Sequence, residues 1–310
     1  MTKTYGIISD MHDIDIRAVP AIIQILKDEE VDALVLNGDL FGERSGYNSQ
    51  DYFATLLDLA GQSGLETYVL PGSHEEVKIF EPVLDHFVGK YGNLVNTLAH
   101  PKVEQEDHHL VFLPGSDWRA GDAVQHGYAL EDQNPTGVYA NQEGYIRIFN
   151  MVDLQKLLSA PDKTIVFSHI PGKFSCVETG VDMAEFWETR RQFQLGDQVC
   201  EVGSIFPGPV GYELVRQGAP ITLKKENRGN PLLKSLFERL GVTKNITGHF
   251  HESAGRAHDL ECKAVEAGLF VPTLFYNASC MDRLMVGMVS VDGPKVAYEN
   301  INLRKYLVKL

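Results

Sequence analysis

Five short apolar runs in this chain are each followed at once by a side chain that can bind a metal or move a proton. Gly6 to Ser9 lead into Asp10 and His12, Leu34 to Asn37 into Gly38-Asp39, and Tyr68 to Leu70 into Gly72-Ser73-His74-Glu75. Ile165 to Ser168 lead into His169, and Ile246-Thr247-Gly248 into His249-Phe250-His251. Asp10 and His12, like His249 and His251, are two residues apart. In extended chain that spacing points both side chains to one side, about 6.6 Å apart, so each pair can serve one metal or two adjacent ones. Carboxylate and imidazole donors suit Mn, Fe or Zn, and the cysteine-rich zinc pattern is missing. Taken singly, His12 or His169 reads as a hydrogen-bonded structural histidine, and Gly38-Asp39 as an ordinary turn. Taken together they change the reading, because the carboxyl ends of strands in an open α/β sheet line one ligand crevice. Of the 11 histidines, His86, His100, His108, His109, His126 and His258 fall away from these endings and read as surface or structural.

The elements that must position these residues alternate in type. Strand-like runs at Tyr5 to Ser9, Ala33 to Asn37 and Thr67 to Leu70 are separated by helical patterns at Val19 to Leu26 and Tyr52 to Leu59. Such alternation predicts βαβ units. Leu34-Val35-Leu36 and Ile165-Val166-Phe167 are apolar without alternation, as expected of central strands covered on both faces. Asn230-Pro231 opens a further helix whose apolar residues run to Leu240 and which Gly241 stops, before a strand at Lys244 to Thr247. From about Thr273, short alternating pieces (Leu274 to Tyr276, Met285 to Val289, Val296 to Tyr298) around Asp292-Gly293-Pro294 predict an antiparallel portion that closes the domain. The stretches 115–144 and 171–228 are less regular. They hold Trp118, Arg119, Trp187, Arg190, Arg191 and the turn-rich Phe206-Pro207-Gly208-Pro209, and read as inserted, cap-like segments that shape a binding site or cover a sheet edge. No linker divides the chain, so residues 1–310 are expected to form one domain.

The ordered series Asp10-x-His12, Gly38-Asp39, Gly72-Ser73-His74-Glu75, His169 and Gly248-His249-x-His251 resembles the motifs of the calcineurin-like metallophosphoesterases. Tyr276-Asn277-Ala278-Ser279 is similar to the strand and turn that follow the last motif. The resemblance implies an α/β fold, a four-layer αββα sandwich with a two-metal site at its rim. It implies that Asp10, His12 and His251 hold one divalent ion, that His169 and His249 hold the other, and that Asp39 bridges them. The implied chemistry is phosphoester hydrolysis, of a diester or a monoester, by a hydroxide shared between the ions, with no covalent enzyme intermediate. His74 would contact the phosphate and protonate the leaving oxygen, a role that suits histidine because its unperturbed pKa lies near neutrality.

Two positions depart from the family. Ser73 stands where the family has an asparagine ligand of the second ion and is expected to be a ligand of that ion in its place, although a neutral hydroxyl is a shorter and weaker donor than an amide oxygen. Leu40-Phe41-Gly42-Glu43 follows Gly38-Asp39 without the Asp-Arg of the phosphoprotein phosphatases. Glu43 and Arg44 are the nearby substitutes, although a solvated charged loop accounts for them as well.

Composition narrows the function. The chain has 310 residues, 28 basic against 42 acidic, and a formal charge of -14. That charge opposes non-specific binding to a phosphate backbone and favours a small phosphoester over nucleic acid. A nuclease of the same superfamily, and a non-catalytic protein-interaction scaffold on the same fold, are the alternatives. No apolar run approaches the ~20 residues of a membrane helix. A strand-like run at the very start leaves no room for a signal segment, which together with four widely spaced cysteines, read as reduced and structural, favours the cytoplasm.

Overall fold

Asp10, Asp39 and His74 follow three parallel strands of one sheet, and His169 and His249 follow two parallel strands of another. In the first sheet, Lys3–Ile8, Ala33–Asn37 and Glu66–Leu70 run side by side in register. Leu94–Asn96 extends it on one edge, and the antiparallel hairpin Met285–Asp292 with Lys295–Asn302 on the other. In the second sheet the order is Ala257–His258, Leu274–Asn277, Lys244–Thr247, Thr164–Ser168, His109–Leu113 and Lys102–Glu104. The computed structural model describes residues 2–42, 48–117, 127–132, 134–141, 144–206, 208–278 and 280–307. The expectations placed on Glu43, Arg44, Trp118, Arg119, His126, Pro207 and Ser279 therefore lie outside the described residues.

The layers follow from the alternation of side chains along the strands. Tyr5, Ile7, Val35 and Tyr68 meet Phe112, Phe167, Ile246 and Tyr276 in a core between the two sheets. The opposite faces are covered by helices. Leu34 and Leu36 pack under Ile22, Leu26, Phe53 and Leu56 from Val19–Asp28 and Ser49–Ser63, and Val111, Val166 and Phe275 pack under Leu233, Leu236 and Phe237 from Pro231–Leu240. The result is an αββα sandwich. Strand Ala33–Asn37 is buried at every residue, as its unalternating sequence demands. Pro231–Leu240 begins where Asn230 accepts the Leu233 amide at 2.8 Å and ends at Gly241, whose φ of 70° lies in the left-handed region.

The expectation of an antiparallel tail needs one correction. Leu274–Asn277 lies parallel to Lys244–Thr247 inside the second sheet, with Asn245 opposite Phe275. The chain between them crosses over past His251–Ser253 and Ala257–His258 before re-entering in the same direction. Only the hairpin 285–302 is the antiparallel closure.

The two irregular stretches contain small sheets that abut the strand ends. Gly127–Glu131 runs parallel to Gly144–Asn150, with Gly137–Asn141 antiparallel beside it. Met183–Thr189 lies between Ile205–Phe206 and Ile221–Asn227. The first borders the His74 turn, because a Cβ on Gly127 would come within 2.8 Å of the Glu75 carbonyl oxygen. The second borders the His251 turn, where the Ser253 hydroxyl donates to the Met183 carbonyl at 2.8 Å.

The cysteine expectation is also corrected. Cys176 and Cys262 form a disulfide with their Cα atoms 5.5 Å apart, and only Cys200 and Cys280 are free thiols. The two half-cystines are 86 residues apart in sequence, and meet because the segment following Thr164–Ser168 reaches past two intervening strands to the turn following Ala257–His258. Spacing along the sequence carries no trace of that encounter. Among the described residues, no helix is long and apolar enough to cross a membrane.

Candidate metal centre

Strand ends alone would scatter these side chains; the backbone after each strand turns them inward. Asp10 (φ 55°), Asp39 (φ 53°) and His249 (φ 68°) all adopt the left-handed conformation, which costs a non-glycine residue energy and tends to concentrate at functional sites. Close approach demands glycine beside them. A Cβ on Gly38 would lie 2.6 Å from His169 Nδ1, and one on Gly248 would lie 2.6 Å from Asp10 Oδ2.

Three groups of donors result, each with its candidate ligand atoms within 4.8 Å of one another: Asp10 with His12 and His251, Asp39 with His169 and His249, and His12 with Asp39 and His74. Asp39 Oδ2 is the common point. It lies 3.0 Å from His169 Nε2, 3.6 Å from His12 Nε2 and 3.9 Å from His74 Nε2. Asp10 Oδ1 lies 3.3 Å from His251 Nε2. The His12 ring stands 4.5 Å from that of His74 and 5.6 Å from that of His251, while the His169 and His249 rings are 5.1 Å apart. Ser73 sits against Asp39: its backbone N–H donates to Oδ1 at 2.6 Å, and its hydroxyl donates to the carboxylate, 3.0 and 2.8 Å from the two oxygens. The structure thus brings together Asp10, His12, Asp39, Ser73, His74, His169, His249 and His251.

A layer of buried polar groups holds this arrangement. The Glu75 carboxylate accepts the backbone N–H groups of Leu40 (2.5 Å), Gly72 (2.6 Å) and Asp39 (3.3 Å), which clamps the Asp39 and His74 turns together. The Asn277 amide donates to the carbonyls of Gly248, Phe250 and Val181, which fixes the His249 to His251 segment. His169 Nδ1 bonds the Asn37 carbonyl at 3.0 Å and leaves Nε2 directed at Asp39. On the far side of His251, Asp282 Oδ2 lies 3.8 Å from Nδ1, while Asp282 Oδ1 accepts the Asp13 N–H at 2.8 Å. Sequence reading marked Glu75 only as a neighbour of His74 and missed Asp282 altogether. Asp282 arrives through pairing, since the N–H groups of Met281 and Asp282 donate to the carbonyls of Ser9 and Asp10. Its short distance after the Tyr276-Asn277 motif is the only signal in the sequence.

Charge in this cluster is out of balance without cations. Burial opposes ionisation of every member, yet the histidines around them hold Asp39 well below the usual carboxylate range and Asp10 below it. Burial likewise opposes charge on His12, His169 and His251, and the carboxylates outweigh it, raising them to about 9, about 9 and about 11. His249, buried beside His169, is pushed down to about 3 and stays neutral. Protons on imidazoles are here supplying the positive charge that Asp10 and Asp39 require. The fully buried His169 Nε2 has only the Asp39 carboxylate before it, 3.0 Å away and out of line for a well-formed hydrogen bond, which leaves it suited to a metal as soon as its proton leaves. Carboxylate oxygens and imidazole nitrogens in two adjacent triplets form a donor set that fits two divalent ions.

A family model for calcineurin-like phosphoesterases matches residues 3–253, and the chain belongs to that family. No curated protein matches it by sequence. One solved structure superposes with a TM-score of 0.55 at 11% identity, covering 96% of this chain and 99% of its own. Another, the protein TT1561 of Thermus thermophilus, superposes with a TM-score of 0.54 at 10% identity, covering 98% and 100% respectively. At such identity the likeness is one of fold.

Proposed function

We propose that the protein is a hydrolase of phosphoester bonds that works with two divalent ions, Mn, Fe or Zn. The observation that carries this reading is the meeting of two carboxylate-imidazole triplets at Asp39, whose Oδ2 faces His169 on one side and His12 on the other. On this reading Asp10, His12 and His251 hold the first ion, His169 and His249 the second, and Asp39 both. Such a pair of ions activates water and neutralises the charge that builds on the attacking and leaving oxygens of an in-line displacement.

The protein's own groups do the rest. His74, its side chain 37% exposed and its ring against His12, stands at the mouth of the centre, where it binds a phosphate oxygen and delivers a proton to the leaving group. Glu75 and Asn277 keep the loops in place during turnover, so that the donors need not reorganise. Ser73, in the position of the family's asparagine, serves the second ion through the Asp39 carboxylate that its hydroxyl orients. A small phosphoester is the preferred substrate class, because a net charge of -14 repels a polyanion.

The test is hydrolysis of bis(p-nitrophenyl) phosphate and p-nitrophenyl phosphate by chelator-stripped protein, with and without added Mn²⁺, Zn²⁺ or Fe²⁺. Metal-restored turnover that Asp39→Asn abolishes supports the reading, and the preferred ester distinguishes diesterase from monoesterase. Absence of turnover with every ion overturns it in favour of an interaction scaffold. Salt-sensitive binding and cleavage of oligonucleotides would move the substrate to nucleic acid.

A further inference from the structure

A second group of ligand atoms lies away from the Asp/His centre. The sulfurs of Cys176 and Cys262 and a ring nitrogen of His258 all lie within 4.8 Å of one another. His258 is 0% exposed, wedged edge-on against Phe174 with ring centroids 4.5 Å apart and stacked on Phe275 at 5.6 Å. Its Nδ1 lies 2.7 Å from the Asp259 carbonyl, which can only accept, so Nδ1 carries the proton and Nε2 carries a lone pair. That Nε2 is buried and has no hydrogen-bond partner. A buried acceptor left without a partner is unfavourable, and burial among aromatic rings also pushes the imidazole down, toward the neutral form a metal requires.

Both cysteines are anchored by backbone hydrogen bonds as well as by the bond between them. The Cys176 carbonyl accepts from the Gly180 N–H at 3.1 Å and from the Asn227 amide at 3.0 Å. The Cys262 carbonyl accepts from the Thr179 hydroxyl at 2.8 Å, its N–H donates to Asp259 at 3.2 Å, and its φ of 64° is set by that turn. These backbone bonds hold both residues near His258 independently of the disulfide. Two thiolates and one neutral imidazole form a soft donor set that selects zinc over the harder ions suited to carboxylates.

We propose that Cys176, His258 and Cys262 form a zinc site that exists only in the reduced protein and that the disulfide replaces on oxidation. A dithiol reductant supplies the electrons: its two thiols become a disulfide while Cys176–Cys262 becomes two thiols. Binding of Zn²⁺ then releases two thiol protons and forms two Zn–S bonds and one Zn–N bond. Cys176 is 5% exposed, whereas Cys262 is only half-buried and so opens the fourth zinc position to water. The site ties the segment after His169 to the turn after Ala257–His258 in either state, by a covalent bond or by a metal.

Cobalt reads this site separately from the Asp/His centre, because only thiolate ligands produce a sulfur-to-cobalt charge-transfer band in the near ultraviolet. Full-length protein is stripped of metal, reduced without oxygen and titrated with Co²⁺. One thiolate-bound Co²⁺ per chain is expected, displaced by Zn²⁺, absent from the oxidised protein and absent from Cys176→Ser. His258→Gln, which keeps both sulfurs, is expected to weaken binding by more than roughly tenfold. Absence of the band in reduced wild-type protein overturns the proposal without reliance on any variant, as does a band of equal strength in oxidised protein. A band undiminished in Cys176→Ser shows that it does not need the Cys176–Cys262 pair and also overturns the proposal.

Discussion

The two halves of the Asp/His centre are built differently. Around Asp39, backbone N–H groups of Ser73 and His74 and the Ser73 hydroxyl donate to the carboxylate, and His169 beside it is 0% exposed. Around Asp10 the donors are the Ser9 hydroxyl at 2.5 Å and the His249 N–H at 3.1 Å, while the His12 and His251 side chains are 13% and 29% exposed. The inner half takes more of its donors from backbone and holds the fully buried His169, whereas the outer half carries the more exposed imidazoles. A chelator should therefore remove the outer ion first.

Breaking the junction should have the largest effect. Asp39→Asn takes a charge from both halves and should lower metal-dependent turnover at least a hundredfold, measured as kcat on the nitrophenyl esters with metal content checked by elemental analysis. His74→Asn should lower kcat by roughly 10²–10⁴-fold, the usual worth of a general acid, while both ions remain bound. Loss of the ions in this variant would return His74 to a structural role.

Asp282→Asn sharpens the contrast between halves, because Asp282 touches only the outer one through His251. It should weaken one of two Mn²⁺ binding steps about tenfold in a calorimetric titration and leave the other alone. Equal weakening of both would show the halves to be a single unit.

The smallest effect is a pH dependence of the metal-free protein. His12 and His169 sit at about 9 in the fold against an ordinary 6.5, so their stabilising contribution is complete below pH 6.5 and is lost as pH rises toward 9. His251, at about 11, extends that loss upward, while His249, held near 3, is neutral throughout this window. Asp10 and Asp39, depressed, act at the other end, contributing above about 4 and losing that contribution in acid. Melting temperatures of chelator-stripped protein should fall between pH 6.5 and 9, and bound Mn²⁺ should flatten the curve by replacing the imidazole protons.

Much of this molecule was legible in one dimension because its signals are local. An apolar run of five residues, a Gly-Asp turn, an Asn-Pro helix start and a Gly stop each act within a few residues, and Ala33–Asn37, Lys244–Thr247 and Pro231–Leu240 form where those signals stand. Asp10, His12, Asp39, His74, His169, His249 and His251 could be named for the same reason: they stand just after the ends of five apolar runs that form strands. The parallel placement of Leu274–Asn277, the approach of Asp282 to His251, the three-way clamp of Glu75 and the Cys176–His258–Cys262 cluster had no such signal. They depend on which strands become neighbours and how two sheets stack, and these are set by burial summed over the whole chain. Residue type determined what chemistry this chain can perform; only packing decided which groups meet, because contact between distant residues leaves no pattern in either one's surroundings.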